Sequence, residues 1–222
     1  MDVRERAKSI AKELAADPVL GNYLDVEPDL PIPAPVRGGG HIRLMILGQD
    51  PTVSSHRRRR DVKTVLDVRS REGPLRTYLA FLCAALGLVM EENAYVTNLV
   101  KGFFRVPPAQ FRDVDLIALS APHWLPLLQE ELAEFPGVSV LTLGQPVLSA
   151  LLNPGVRPQV RDYWGYTPEW ERGRMGELGV VEPEDNVLGR VLIPFPHINT
   201  ARKHRFYLAR WGKYTSFAKE WV

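Results

Sequence analysis

Four short apolar runs, each opening into a polar loop and separated from the next by a helical pattern, constrain this chain more than any other feature. They are Ile42 to Leu47, Ala94 to Asn98, Val138 to Leu143 and Val191 to Pro194. Each has the length of a strand buried on both faces and is too short for a core helix. The clearest intervening helix places Leu75, Tyr78, Leu79, Leu82, Cys83 and Leu86 on one face, with Pro74 at its start and Gly87 at its end, as helix termini prefer. A second carries Ala121, Trp124, Leu125, Leu128, Leu132 and Phe135 ahead of Gly137, and a short third runs from about Pro146 to Leu152. Strands alternating with helices predict an α/β fold, a three-layer sandwich whose central four-stranded parallel sheet is covered by helices on both faces.

The flanks are less regular. An amphipathic helix is expected from Val3 to Ala16, stopped near Asp17-Pro18. The stretch from Glu27 to Gly40 (EPDLPIPAPVRGGG) is too proline-dense for regular structure and reads as an extended arm wrapping the domain. The segment from Val160 to Asn186 fits neither period and reads as a long surface insertion, with a hairpin as one form it could take. With 222 residues, one domain spanning residues 1–222 is expected, residues 1–40 forming the N-terminal helix and arm.

Composition excludes several classes. No apolar run approaches a bilayer-spanning length. The charged N-terminus is neither a secretory signal nor a transit peptide, so a cytoplasmic, nucleoid-associated location is expected. A single cysteine, Cys83, excludes an internal disulfide and cysteine-rich metal sites, and neither a metal nor a cofactor is expected. Neither a dinucleotide glycine fingerprint nor a P-loop is present. The net charge of +2 permits nucleic-acid binding without arguing for it.

In open parallel sheets the ligand site lies beyond the carboxyl ends of the strands. The first run leads into Gly48-Gln49-Asp50-Pro51, the second ends at Thr97-Asn98, the third at Gly144-Gln145 and the fourth at Pro196-His197-Ile198-Asn199. A carboxylate, an amide and an imidazole should therefore meet on one sheet edge. Such a trio suits cleavage of a nucleoside C1′–N bond. A carboxylate orients water and stabilises a cationic sugar. An imidazole stabilises charge growing on the base, and an amide reads a base edge. Each residue also has a plainer use. Asp50 could shape a turn, Asn98 could cap the strand end, and His197 could be structural; their convergence is what weighs against those uses.

These residues resemble the uracil-DNA glycosylase superfamily. Gly48-Gln49-Asp50-Pro51 is similar to its first motif, and Val65-Leu66-Asp67-Val68-Arg69 with the helix from Gly73 is similar to its base-stacking segment. Tyr95 to Val100 resembles the strand whose asparagine recognises uracil, Leu141-Thr142-Leu143-Gly144 the third strand, and Pro196 to Arg205 the second signature. The resemblance covers about Ile42 to Tyr207. It implies catalytic roles for Asp50 and His197, and base contacts for Gln49, Thr52, Leu66, Asn98 and Asn199. The chain departs from the uracil-specific pattern at Thr52, where that branch has tyrosine, and at Leu66, where the family stacks an aromatic ring. Ala201, beside Arg202, replaces the leucine wedge. Altered or broadened base selectivity follows, with uracil, deaminated purines or bulkier pyrimidines as candidates.

Two basic loops are expected to hold DNA phosphates, one formed by Arg57, Arg58, Arg59 and Arg60 and the other by Arg202, Lys203 and Arg205. The activity expected is that of a monomeric, monofunctional DNA glycosylase acting on a flipped-out damaged base, with no membrane partner. Lys101, near Asn98, keeps a lyase nucleophile open, and Phe103 and Phe104 are expected to contribute at least one core residue. Two alternatives stand beside this reading: a catalytically weak DNA-binding protein of the same fold, and a hydrolase of free nucleosides.

Overall fold

The computed structural model describes residues 3–25, 27, 30–68, 73–111 and 113–222. Its sheet has five strands, β1 (Val36–Arg37), β2 (Leu44–Gly48), β3 (Ala94–Asn98), β4 (Ser139–Leu143) and β5 (Leu192–Phe195). They lie in the order β1-β3-β2-β4-β5. The pairs β2–β3, β2–β4 and β4–β5 are parallel, and only β1 runs antiparallel, against β3. Every residue of β2 to β5 is buried, as apolar runs without alternation require in a sheet covered on both sides.

The helices are α1 (Val3–Ala15), α2 (His56–Arg59), α3 (Pro74–Ala85), α4 (Met90–Asn93), α5 (Leu116–Ala133), α6 (Gln145–Leu151), α7 (Val160–Tyr163), α8 (Ile198–Lys203) and α9 (Arg205–Ala218). Helices α1, α5 and α6 pack together, as do α3 and α9. Because β3 and β4 sit on opposite sides of β2, the crossovers that reach them lie on opposite faces when both are right-handed. The point where strand order reverses falls between β2 and β4, and this is where an open α/β sheet leaves a crevice. Helix α5 starts earlier than its apolar pattern indicates, because the Asp115 carboxylate accepts hydrogen bonds from the N–H groups of Ile117 (3.1 Å) and Ala118 (3.0 Å). Its internal Pro122 and Pro126 are exposed. No described helix is long and apolar enough to cross a membrane.

Two expectations are corrected. The arm supplies a fifth strand, β1, which the proline density of the segment had argued against. Past its prolines, Val36 and Arg37 pair with Val96 and Tyr95 at the open edge of β3, and Gly38, Gly39 and Gly40 then donate to the carbonyls of Ala94, Glu91 and Glu92 at 2.8–3.0 Å. A Cβ on Gly38 would lie 2.6 Å from the Glu92 backbone, so only glycine permits this close approach. The second correction concerns residues 160–186: most are exposed or half-buried and the chain turns back on itself, Gly176 and Gly179 N–H donating to Gly165 O and Tyr163 O (both 2.9 Å), but the segment also feeds the core. Trp164 is fully buried, stacks on Tyr214 at 4.2 Å and meets Phe195 and Tyr207 edge-on. Its indole N–H donates to the Pro194 carbonyl at 2.8 Å. Its burial and these contacts make it a central piece of the core under α9.

Candidate functional site

The loops beyond the carboxyl ends of the strands are held by backbone bonds that continue the ladder. Gly48 and Asn98 are register partners. Beyond them the N–H of Leu99 donates to Gly48 O (2.8 Å) and that of Val100 to Gln49 O (2.9 Å). The Gln49-Asp50 turn is thereby fixed beside the end of β3. The half-buried Asp50 carboxylate accepts from the Thr52 backbone N–H at 2.8 Å and from the Gln49 amide at 3.0 Å, an Asx-type turn ahead of buried Pro51. Asp50 does shape the turn, as its plainer reading has it. Burial nevertheless pushes its pKa up to about 6, against the opposing pull of the Thr52 and Gln49 hydrogen bonds and the Arg59 charge. Thr52 is tied down as well, since its hydroxyl accepts from the Phe104 N–H at 2.8 Å.

Asn98 does not cap anything. It is fully buried, and neither its amide nitrogen nor its oxygen has a hydrogen-bond partner among the described residues. Two orphaned amide atoms cost roughly 1–3 kcal/mol each when no ligand meets them, and such groups call for an explanation. Leu66 lies nearby. A Cβ built on Gly48 would sit 2.5 Å from both Asn98 Oδ1 and Leu66 Cδ2, so the absence of a side chain at Gly48 lets the two approach. Leu66 and Asp67 have φ of 52° and 50°, a left-handed pair that costs about 1–2 kcal/mol per residue for L-amino acids. Backbone strain of this kind collects at functional sites.

His197 lies at the end of β5, two strand positions from β2 across β4, or about 10 Å at normal strand spacing. Three contacts seat it. The N–H of Gly144, which follows β4, donates to Phe195 O at 2.8 Å. The positive φ of Gly144 (98°) leaves space where a Cβ would meet His197 Cβ at 3.4 Å. From α3, Tyr78 O–H donates to Pro196 O at 2.8 Å. The imidazole caps α8, its Nδ1 accepting from Asn199 N at 3.4 Å. With Nδ1 an acceptor and the pKa lowered by burial, the imidazole is neutral at neutral pH and carries its proton on Nε2. That N–H is left as a donor. Asn199 itself is exposed on the first turn of α8, while Ile198 and Ala201 are buried.

Of the basic residues expected to meet phosphate, Arg57, Arg58, Arg202, Lys203 and Arg205 are exposed. Arg60 is exposed and pairs with Glu27 at 3.0 Å. Arg59 is a correction. It is 1% exposed and is fully engaged inside the protein, with Asp25 at 2.5 Å, Val53 O at 3.1 Å and Arg105 O at 2.7 Å. A four-arginine run gives no sign of which member turns inward; here the short helix α2 directs one of them under the loop. Asp25, Glu27 and His56 bring potential metal-ligand atoms within 4.8 Å of one another. Arg59 and Arg60 already occupy both carboxylates, and the cluster ties the loop after β2 to the N-terminal arm.

Lys101 is corrected as well. It is 2% exposed and bonded to Glu131 of α5, with its Nζ also donating to Thr97 Oγ1 at 2.6 Å. Tyr95 and Thr97 donate to the same carboxylate at 2.8 and 2.9 Å. Alternation along β3 puts Tyr95 and Thr97 on the α5 face and Asn98 on the other, so Lys101 is a partner within the core and no lyase nucleophile. Phe103 and Phe104 are both buried. Tyr78, on the apolar face of α3, positions the His197 loop through its hydroxyl; no periodicity reveals a hydroxyl aimed at a carbonyl.

No protein-family model matches the chain, and neither does any curated protein sequence.

Proposed function

We propose that the chain is a DNA glycosylase of the uracil-DNA glycosylase type, hydrolysing the N-glycosidic bond of a damaged or deaminated base. The observation that carries this reading is the unpartnered amide of Asn98, fully buried at the same sheet edge from which the Asp50 and His197 loops emerge. An Asn amide offers one donor pair and one acceptor, the complement of an imide or amide edge of a nucleobase. When the C1′–N bond breaks, its electron pair leaves with the base. The Nε2–H of neutral His197 would stabilise the resulting anion at a base carbonyl. The ionised Asp50 would favour the cationic sugar and orient the water whose oxygen bonds to C1′, the water proton passing to Asp50 or solvent. The base anion then takes up a proton.

The residues beside Asp50 and Asn98 favour broadened selectivity. Thr52 is small and its hydroxyl is engaged with Phe104 N, so the position opposes a substituent on a pyrimidine ring less than a tyrosine does. Leu66 offers apolar contact without a π-face. The same Leu66 favours one competing reading, a DNA-binding protein of weak or lost activity, because it lies against the Gly48–Asn98 pair and must move before a base reaches the amide. Mass spectrometry of bases released from an oligonucleotide pool carrying uracil, hypoxanthine, xanthine and 5-substituted uracils separates the two. The glycosylase reading expects free base from at least one lesion. Damaged DNA bound in a salt-sensitive complex with no base released decides for the alternative.

A further inference from the structure

Beyond α8 lies a cleft of about 500 Å³, walled by residues that the proposed chemistry does not use. It begins one helical turn from His197, at Thr200, and continues along α8 to Lys203, about 9 Å further along the helix axis than the imidazole. Its far wall comes from residues 159–171, where Tyr166 and Trp170 are half-buried and lean edge-on against Phe206 at 5.2 and 5.5 Å. One face of Tyr166 is taken by the Arg161 guanidinium, 4.5 Å from the ring centroid. Trp170 makes no comparable cation contact among the described residues. Three fixed cations, Arg161, Lys203 and Arg205, line the cleft against one carboxylate, Glu171, with His204 also at the wall.

We propose that this cleft binds single-stranded DNA, stacking an unpaired base of the target strand on Trp170 while Lys203, Arg205 and Arg161 meet the flanking phosphates. Aromatic rings interleaved with cations are the recognition chemistry of single strands, because every base has a face to stack and every linkage carries a charge. A paired base in duplex DNA has no free face to offer the indole. The cleft therefore directs the protein toward unpaired substrate, with one or two nucleotides beside the target held out of the stack. The proposal rests on reading the neighbouring site as DNA-directed, and it names the strand form that site receives.

The test uses the full chain and a fluorescein-labelled oligothymidylate of about fifteen nucleotides, a length within reach of such platforms. Equilibrium anisotropy is measured without any damaged base, so the result does not depend on base excision. Trp170→Ala is expected to lower single-strand affinity about tenfold, to change affinity for the matching duplex less than twofold, and to be largely rescued by Trp170→Phe. Lys203→Glu, at an exposed position that leaves the core intact, is expected to weaken single-strand binding and flatten its salt dependence. Trp170-dependent binding of the oligothymidylate by a protein that releases no base from any lesion upholds this proposal while removing the glycosylase reading. Unchanged affinity in Trp170→Ala, or tighter binding of duplex than of single strand, overturns it, as does stronger binding of an RNA strand of equal length.

Discussion

Gly48 and Asn98 face each other across neighbouring strands so closely that a single methyl group on Gly48 would stand 2.5 Å from the Asn98 side-chain oxygen. Leu66 crowds the same space, its Cδ2 also 2.5 Å from that methyl position. Gly48→Ala therefore forces both Asn98 and Leu66 to shift, an overpacking that costs about 1–3 kcal/mol. If Asn98 reads the base, base release should fall at least tenfold in this variant while DNA affinity holds within threefold. Chemical denaturation and single-turnover excision measure the two effects. A variant as active as the parent would separate Asn98 from base recognition.

Asp50 makes the protein's stability and its activity depend on pH in opposite directions. Burial raises its folded-state pKa to about 6 from an ordinary 3.8, so the fold prefers the neutral acid. Below pH 4 the group is neutral folded or unfolded and no penalty exists. Between pH 4 and 6 the unfolded chain ionises first, and above pH 6 the full penalty of up to about 3 kcal/mol applies. Asp50→Asn, neutral at every pH, should be more stable than the parent at pH 7, with the difference vanishing below pH 4 in urea titrations. Activity needs the carboxylate ionised and His197 neutral. Because burial lowers the His197 pKa, both conditions are met on the alkaline side, and base release should rise through about pH 6 to a plateau. Equal stability of Asp50→Asn and parent at pH 7 would contradict the burial argument.

The arginine run divides into two kinds. Arg59→Ala removes the guanidinium from the buried Asp25 carboxylate, leaving it only the exposed His56 imidazole at 3.3 Å, and empties three hydrogen-bonding positions. Breaking a buried pair from one side costs up to about 3–5 kcal/mol, visible as a lowered denaturation midpoint. Arg57→Ala and Arg58→Ala touch exposed side chains and should leave the midpoint in place. If those two meet phosphate, each should weaken DNA binding and reduce the slope of log affinity against log salt by about one. Salt titrations that give parental slopes for both would remove this loop from the DNA track.

The core strands were legible in the sequence because burial on both faces leaves continuous apolar runs, and β3 matched its run from Ala94 to Asn98. Helix α3 was equally open to reading, with Pro74 and Gly87 marking its ends. The arm strand β1 was hidden because two residues carry no period. The core role of part of residues 160–186 was hidden because Trp164 enters the core from a segment of short turns, and an isolated buried indole leaves no pattern. At the candidate site, strand order and sheet topology were enough to bring Asp50, Asn98 and His197 to one edge. Which polar groups are satisfied there was not readable. The orphaned amide of Asn98, the internal use of Arg59 and the Tyr78 bond to Pro196 are facts of distance and direction. The aromatic cleft left only a faint signal, Tyr166 and Trp170 interleaved with Arg161, Arg172 and Arg174.

Asp50 and Asn98 are assigned different tasks at one scissile bond, and single-turnover base release measured beside DNA affinity tests that assignment most directly. With a uracil-containing single strand as substrate, Asp50→Asn should slow release at least a hundredfold with affinity within threefold of the parent. Asn98→Ala should slow it as well and blur the choice among lesions. Base release by Asp50→Asn at the parental rate, or lesion preference untouched by Asn98→Ala, would contradict the account.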